Sequence, residues 1–315
     1  SGRGIGLSPA RGRNDFPPGG DWNRMNQLER YLNVRSAYGA SLAPDGTLAF
    51  LMDTTGTPQV WTLDAPGAWP EQRTFYEERV TFCSYSPTRA ELVFGMDDGG
   101  NEREQLHRLD PDGTVLDLTR TPDAKHYWGG WSNDGERFAF ASNRRDESVF
   151  DIYVQDRDAT GEDAELIFEG DGIYTVGGFS PDDRHLVLLE SHSNFDADVH
   201  ALDVETGERT HLTPHEGDVR YGGIEWGPDG SLYVVTDDGT DLLYLARLDL
   251  DGDLETVLRD EEWNVDGVAI DHETGRLVYS RNVDGYTDLA VGELADPTSV
   301  EAFPAPDLPE GVAGG

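Results

Sequence analysis

From residue 36 onward the chain alternates short apolar runs with polar turns, and one phrase keeps returning. The turns are "LAPDG" (42–46), "YSPTR" (85–89), "WSNDG" (131–135), "FSPDD" (179–183), "WGPDG" (226–230) and "IDHETG" (270–275), spaced by roughly 45 residues. In such a turn Pro presets φ, Asp bonds the backbone two residues on, and Gly takes the left-handed position. Each turn leads into an apolar run: "TLAFLMD", "ELVFGMD", "RFAFAS", "HLVLLES", "LYVVTD" and "RLVYSRN". A third run follows in "QVWTLD", "QLHRLD", "DIYVQD", "DVHALD", "YLARLD" and "LAVGEL", and a shorter fourth in "VLDLT", "ERTHLT" and "LETVLR". Runs of this length, rich in Val, Leu, Phe and Tyr and bounded by turn residues, predict β-strands.

A lone four-stranded sheet cannot cover both of its faces. The repeat therefore predicts an all-β fold, a β-propeller of four-stranded antiparallel blades stacked radially on one another. Six blades are expected, at about 36–76, 77–120, 121–170, 171–214, 215–259 and 260–303. Trp131, Phe179 and Trp226 share one slot before the turn and are expected to fill the gaps between blades. The final "LPEGVAGG" sets Gly314-Gly315 where "YWGGW", "TVGGF" and "RYGGIEW" carry a Gly pair. Residues 304–315 thus read as the lead-in to a seventh blade cut off at the C-terminus; a complete six-bladed ring with a Gly-rich tail is the alternative. Residues 1–35 are an N-terminal arm with six Arg against Asp15, Asp21 and Glu29, and "DWNRMNQLERYL" (21–32) is expected to form a short helix capped by Asp21.

Charge narrows the function. The chain carries 62 acidic against 24 basic residues, a formal net charge of -38, and Lys125 is its only lysine. Such a surface repels phosphates, which argues against sequence-independent binding to nucleic acid or anionic membranes. It suits an acidic, halophilic protein: at molar salt the Debye length falls to about 3 Å, and repulsion among carboxylates is screened. The single cysteine, Cys83, lies in the alternating run "RVTFCSYS" and reads as a small buried hydrophobe. One cysteine fits a reducing compartment, so a cytoplasmic location in a salt-adapted organism is expected.

Candidate chemistry is sparse. No serine sits in the G-x-S-x-G frame of a hydrolase elbow; Ser132 and Ser180 come nearest, and both fall in blade turns, where a hydroxyl serves the backbone. "HLTPH" sets His211 and His215 across a strand and a Pro turn, not on one helical face, so no metal site is expected there. "DLDGDLETVLRD" (249–260) has Leu254 where a calcium loop needs Gly, and reads as a turn. A metal in the central channel would need acidic, Asn or His residues on several first strands, which end instead in aromatic and Gly residues. No catalytic residue and no cofactor is expected. The candidates for contact with a substrate or partner domain lie in loops between second and third strands: Asn101, Glu102, Arg103, Arg144 and Arg145. Their solvated-turn alternative stays open.

With the blades laid out, "GMDDGGNEREQLHRLD", "HYWGGWSNDGERFAFASNRRDESVFDIYVQD" and "RNVDGYTDLAV" resemble the N-terminal β-propeller of prolyl-oligopeptidase-family serine peptidases, in particular the acylaminoacyl-peptidase-like branch. The blade turns themselves are shared with TolB-like propellers. The resemblance implies a non-catalytic gating and scaffold domain, partnered by a C-terminal α/β-hydrolase domain and admitting short peptides to it. No triad residue can be carried over to this chain, so alone it is expected to be inactive. The alternative is a stand-alone TolB-like propeller acting as a protein-binding scaffold.

Overall fold

The computed structural model describes residues 35–304, so the expected arm helix and most of the expected lead-in at 304–315 lie outside the described residues. The sheets belong to the unit that begins at Ala37. Each sheet is a four-stranded antiparallel meander in sequence order. Blade one comprises β1 (Ala37–Leu42), β2 (Leu48–Met52), β3 (Gln59–Leu63) and β4 (Glu71–Gln72). Blade two has β5 (Val80–Tyr85), β6 (Leu92–Met96), β7 (Gln105–Leu109) and β8 (Val115–Asp117). Blade three has β9 (His126–Trp131), β10 (Arg137–Ser142), β11 (Asp151–Asp156) and β12 (Glu165–Phe168). Blade four has β13 (Tyr174–Phe179), β14 (His185–Ser193), β15 (Asp196–Asp203) and β16 (Arg209–His211). Blade five has β17 (Tyr221–Trp226), β18 (Leu232–Thr236), β19 (Tyr244–Leu248) and β20 (Leu254–Leu258). Blade six has β21 (Val265–Ile270), β22 (Arg276–Val283), β23 (Tyr286–Asp296) and β24 (Ser299–Ala302). Among the described residues the one helical element is a 3-10 turn at Gly161–Asp163, and no helix is long and apolar enough to cross a membrane.

The recurring turn works as its residues dictate. The Gly135 amide bonds the Ser132 carbonyl at 2.9 Å, and Gly135 sits at φ +68°. Asp134 accepts the Glu136 amide at 2.9 Å. The Ser132 hydroxyl bonds the Arg137 carbonyl and the Asp134 carboxylate; Ser180 does the same for Asp182 and takes the His185 amide. Both serines are buried and fully engaged with the turn. Asp249 likewise accepts the Asp251 and Asp253 amides in the turn between β19 and β20.

The Gly pairs before the blade aromatics have their own reason. Pairing of the first strand with the second slips at Ala139/Phe140, Val176/Phe179 and Gly222/Glu225. These are β-bulges, and Gly130 (φ +109°), Gly178 (φ +111°) and Gly223 (φ +52°) take the left-handed backbone there. A Cβ on Gly129 would come within 2.5 Å of Val176, so blade three meets blade four where side chains are missing.

Each gap between neighbouring blades is filled by one apolar cluster. Ala49, Leu51 and Val60 meet Val80, Leu92 and Phe94 between blades one and two. Val93 and Leu106 meet Phe138, Phe140 and Tyr153 between two and three, and Ile152 and Val154 meet Leu186, Leu188 and Leu202 between three and four. Val199, Ala201 and Leu212 meet Trp226, Leu232 and Val234, and Tyr233 and Leu245 meet Leu277 and Tyr279. Phe179 and Trp226 are buried in these gaps, while Trp131 is half-buried. The indole N–H groups of Trp131 and Trp226 reach back to the preceding first strand, bonding the carbonyls of Ser84 and Gly178 at 3.2 Å each. Cys83 is buried, and burial pushes its thiol up to about 12, as befits a core residue.

Candidate functional site

The loops that join second to third strands share one face with the connections between blades. On that face a cavity of about 380 Å³ opens between blades two and three, lined by the segments Arg120–Ala124 and Asn143–Glu147. Arg144 forms its cationic wall. The guanidinium lies 4.5 Å from the Tyr153 ring centre and 5.1 Å from that of Phe140, the geometry of a cation on aromatic faces. It donates to the Gly161 carbonyl at 3.2 Å, to the Ser142 hydroxyl at 3.4 Å and to Nε2 of His126 at 3.3 Å. Among the described residues no carboxylate pairs with it, so two of its five N–H groups stay available for a ligand.

His126 backs Arg144. Its Nδ1 bonds the Glu104 carbonyl at 2.8 Å, and the Thr121 hydroxyl lies 2.9 Å from Nε2. Burial pushes its pKa down to about 4, the Glu104 carbonyl opposing and Arg144 reinforcing the shift. The ring is therefore neutral, with its proton on Nδ1 and Nε2 free to accept. Arg144 is itself lowered by burial but, as a guanidinium, stays charged. A fixed cation held by neutral partners at the wall of a small cavity is suited to a carboxylate or another anion.

The other sequence candidates have different roles. Arg145 makes a two-pronged pair with the fully buried Asp151, at 2.7 and 2.8 Å, and also bonds the Gly170 carbonyl. The pair raises the Arg145 pKa. It closes its own loop, and its charge is already matched by Asp151. Arg103 reaches Asp123 at 3.3 Å and Glu147 at 4.0 Å, while Glu102 meets Lys125 at 3.4 Å. These pairs tie the blade-two loop to the cavity rim. Asn101 is a turn residue whose Oδ1 accepts the Arg103 amide at 2.8 Å.

Two features escape the sequence reading. His126 opens a first strand, and nothing in "KHYWGG" announces that it supports an arginine from the next hairpin. On blade four, strand pairing gathers His192, His200, His211 and His215 around Asp196 and Asp198, where only His211 and His215 are near each other in sequence. The alternation D-A-D-V-H in a strand was the available signal, since it puts Asp196, Asp198 and His200 on one face.

No family model matches the sequence, and no curated protein matches it. Among solved structures the chain is similar to one from a study of two prolyl endopeptidases and the role of inter-domain dynamics in their catalysis and specificity, with a TM-score of 0.70 and 15% identity over 94% of this chain and 46% of that one. It is also similar to TolB from Acinetobacter baumannii, with a TM-score of 0.53 and 22% identity over 72% of this chain and 55% of that one. Putative TolB from Agrobacterium tumefaciens matches at 0.55 and 20% identity, over 74% of this chain and 83% of that one. The chain thus spans about half the length of the prolyl endopeptidase and of the Acinetobacter TolB. With its stacked four-stranded blades and these likenesses together, the chain has a TolB-like β-propeller fold.

Proposed function

We propose that this propeller is the non-catalytic gate and scaffold of a serine peptidase of the prolyl oligopeptidase family, with catalysis in an α/β-hydrolase domain beyond this chain. The observation that carries the proposal is the prolyl endopeptidase likeness, which takes in 94% of this chain but 46% of that enzyme's. The loop phrases quoted above support it. So do the blade interfaces: the five apolar clusters join successive blades, and among the described residues no such cluster joins blade six to blade one. Tyr38 and Leu42 on β1 and Val278 on β22 are exposed instead, a place for a further sheet. In this reading the protein works in the salt-rich cytoplasm of a halophile, and Arg144 receives the carboxylate of a short peptide or of the neighbouring domain.

The isolated chain should hydrolyse no peptide or ester, whereas the same propeller joined to its hydrolase should cleave short peptides and be stopped by a serine-directed phosphonate. In that enzyme Arg144→Met should raise KM for peptides with a free carboxylate by roughly tenfold at unchanged kcat, the loss of one hydrogen bond to a charged group. Turnover by the isolated chain would overturn the proposal. A second reading, a stand-alone protein-binding propeller, is favoured by the match over 83% of the Agrobacterium TolB. It predicts that the gene continues into no hydrolase and that a partner protein co-purifies with the chain.

A further inference from the structure

The face of blade four that meets blade three carries a row of chemistry that neither the fold nor the gate requires. β14 and β15 pair Glu190 with Asp198, and β15 and β16 pair His200 with His211. Two-residue alternation puts Asp198 and His200 on the same side of β15. Asp198 uses both oxygens: Oδ1 is 2.8 Å from Nε2 of His211, and Oδ2 is 2.9 Å from Nε2 of His192. The rings of His200 and His211 lie 4.7 Å apart. Donor atoms of Asp198, His200 and His211 all fall within 4.8 Å of one another.

A hydrogen-bonded histidine cluster would leave no buried ring nitrogen idle, yet one is. His200 is buried at 3% exposure; its Nε2 is 2.9 Å from Glu190, while its Nδ1 has no hydrogen-bond partner at all. A buried polar atom left unpaired is costly, and a native structure keeps few of them. Glu190 also lies 3.6 Å from Arg209, so its charge is already matched, and Asp198 is the carboxylate without an arginine.

We propose that blade four holds a transition-metal site of the Zn2+ class, with Asp198, His200 and His211 as the protein ligands and His192 orienting the second oxygen of Asp198. Two imidazoles and a carboxylate suit Zn2+, Co2+ or Ni2+, not Mg2+ or Ca2+, which take oxygen donors. Tetrahedral coordination at about 2.0–2.2 Å needs donor atoms roughly 3.3 Å apart, a small adjustment from the present spacings. Binding replaces the proton now lying between Nε2 of His211 and Oδ1 of Asp198, while His192 keeps its N–H on Oδ2. The cation fastens β16, a three-residue edge strand that pairs with β15 alone, to the sheet. The site is thus a staple, separate from the Arg144 cavity.

The test is a Co2+ titration of the whole chain in molar KCl with excess Mg2+, which occupies the acidic surface. One equivalent should produce the visible absorption of tetrahedral Co2+, lost on adding Zn2+, and Zn2+ should raise Tm. His211→Gln, at an exposed edge position, should leave the far-UV circular dichroism unchanged and weaken Co2+ binding at least tenfold; His192→Gln should weaken it by a smaller factor of about ten or less. Absence of the tetrahedral spectrum would overturn the proposal, as would a spectrum and affinity unchanged in both His211→Gln and His200→Gln.

Discussion

The imidazole of His126 is fully buried, and its pKa falls from 6.5 to about 4. Between those values the unfolded chain takes a proton that the folded ring refuses, so stability declines as pH falls through this window. The full effect is on the order of 3 kcal/mol. Glu225 on β17 acts in the opposite direction, because burial raises its carboxyl from 4.5 to about 7. There the folded state keeps a proton that the unfolded chain releases, so stability declines as pH rises from 4.5 to 7. Urea melts across pH should therefore show His126→Gln flattening the acid side, and Glu225→Gln raising stability at pH 8 with little change at pH 4. Equal effects at both pH values would show that burial does not control these groups.

Between blades two and three, apolar packing is joined by an ion network on the face opposite the Arg144 cavity. Glu91, which is buried, pairs with Arg157 and lies 3.9 Å from Arg108; Arg108 in turn meets Asp110 at 2.9 Å and Asp158 at 2.8 Å. Removing one member leaves buried charge unmatched, which costs about 3–5 kcal/mol. Glu91→Ala should thus lose about 3 kcal/mol, and molar KCl should not mask the loss. The pair of Arg89 with Glu136 links the same two blades at the surface, and Glu136→Ala should cost less than about 1 kcal/mol. Comparable losses in the two variants would mean that burial does not decide the strength of these links. The strand elements themselves were legible beforehand, because each turn carries its own Pro, Asp or Gly instruction within five residues.

For the molecule as a whole, the charge of -38 predicts that salt affects how firmly the blades hold together. Screening at molar salt confines each carboxylate's repulsion to about 3 Å, whereas at 0.01 M it reaches about 30 Å. Moving the chain from molar KCl to dilute buffer should lower Tm by roughly 5–10 °C or more, followed by circular dichroism. Full stability and complete refolding without added salt would exclude salt adaptation. The exposed side chains of Tyr38, Leu42 and Val278 should also favour self-association, read as a concentration-dependent sedimentation coefficient.

The sequence by itself determined the strands, their turns and their repetition, since period-two alternation and turn chemistry act within a few residues. It also placed Ser132, Ser180 and Cys83 in structural roles, and it located the loop that bears Arg144. Only the tertiary structure decided that Arg144 is the cation without a carboxylate partner while Arg145 is matched by Asp151, for the two are neighbours with the same chemistry. It likewise decided that histidines from three strands and the loop after β16 gather beside Asp196 and Asp198. Such choices depend on which groups lose their water and which partners reach them across a sheet, and no local pattern encodes either.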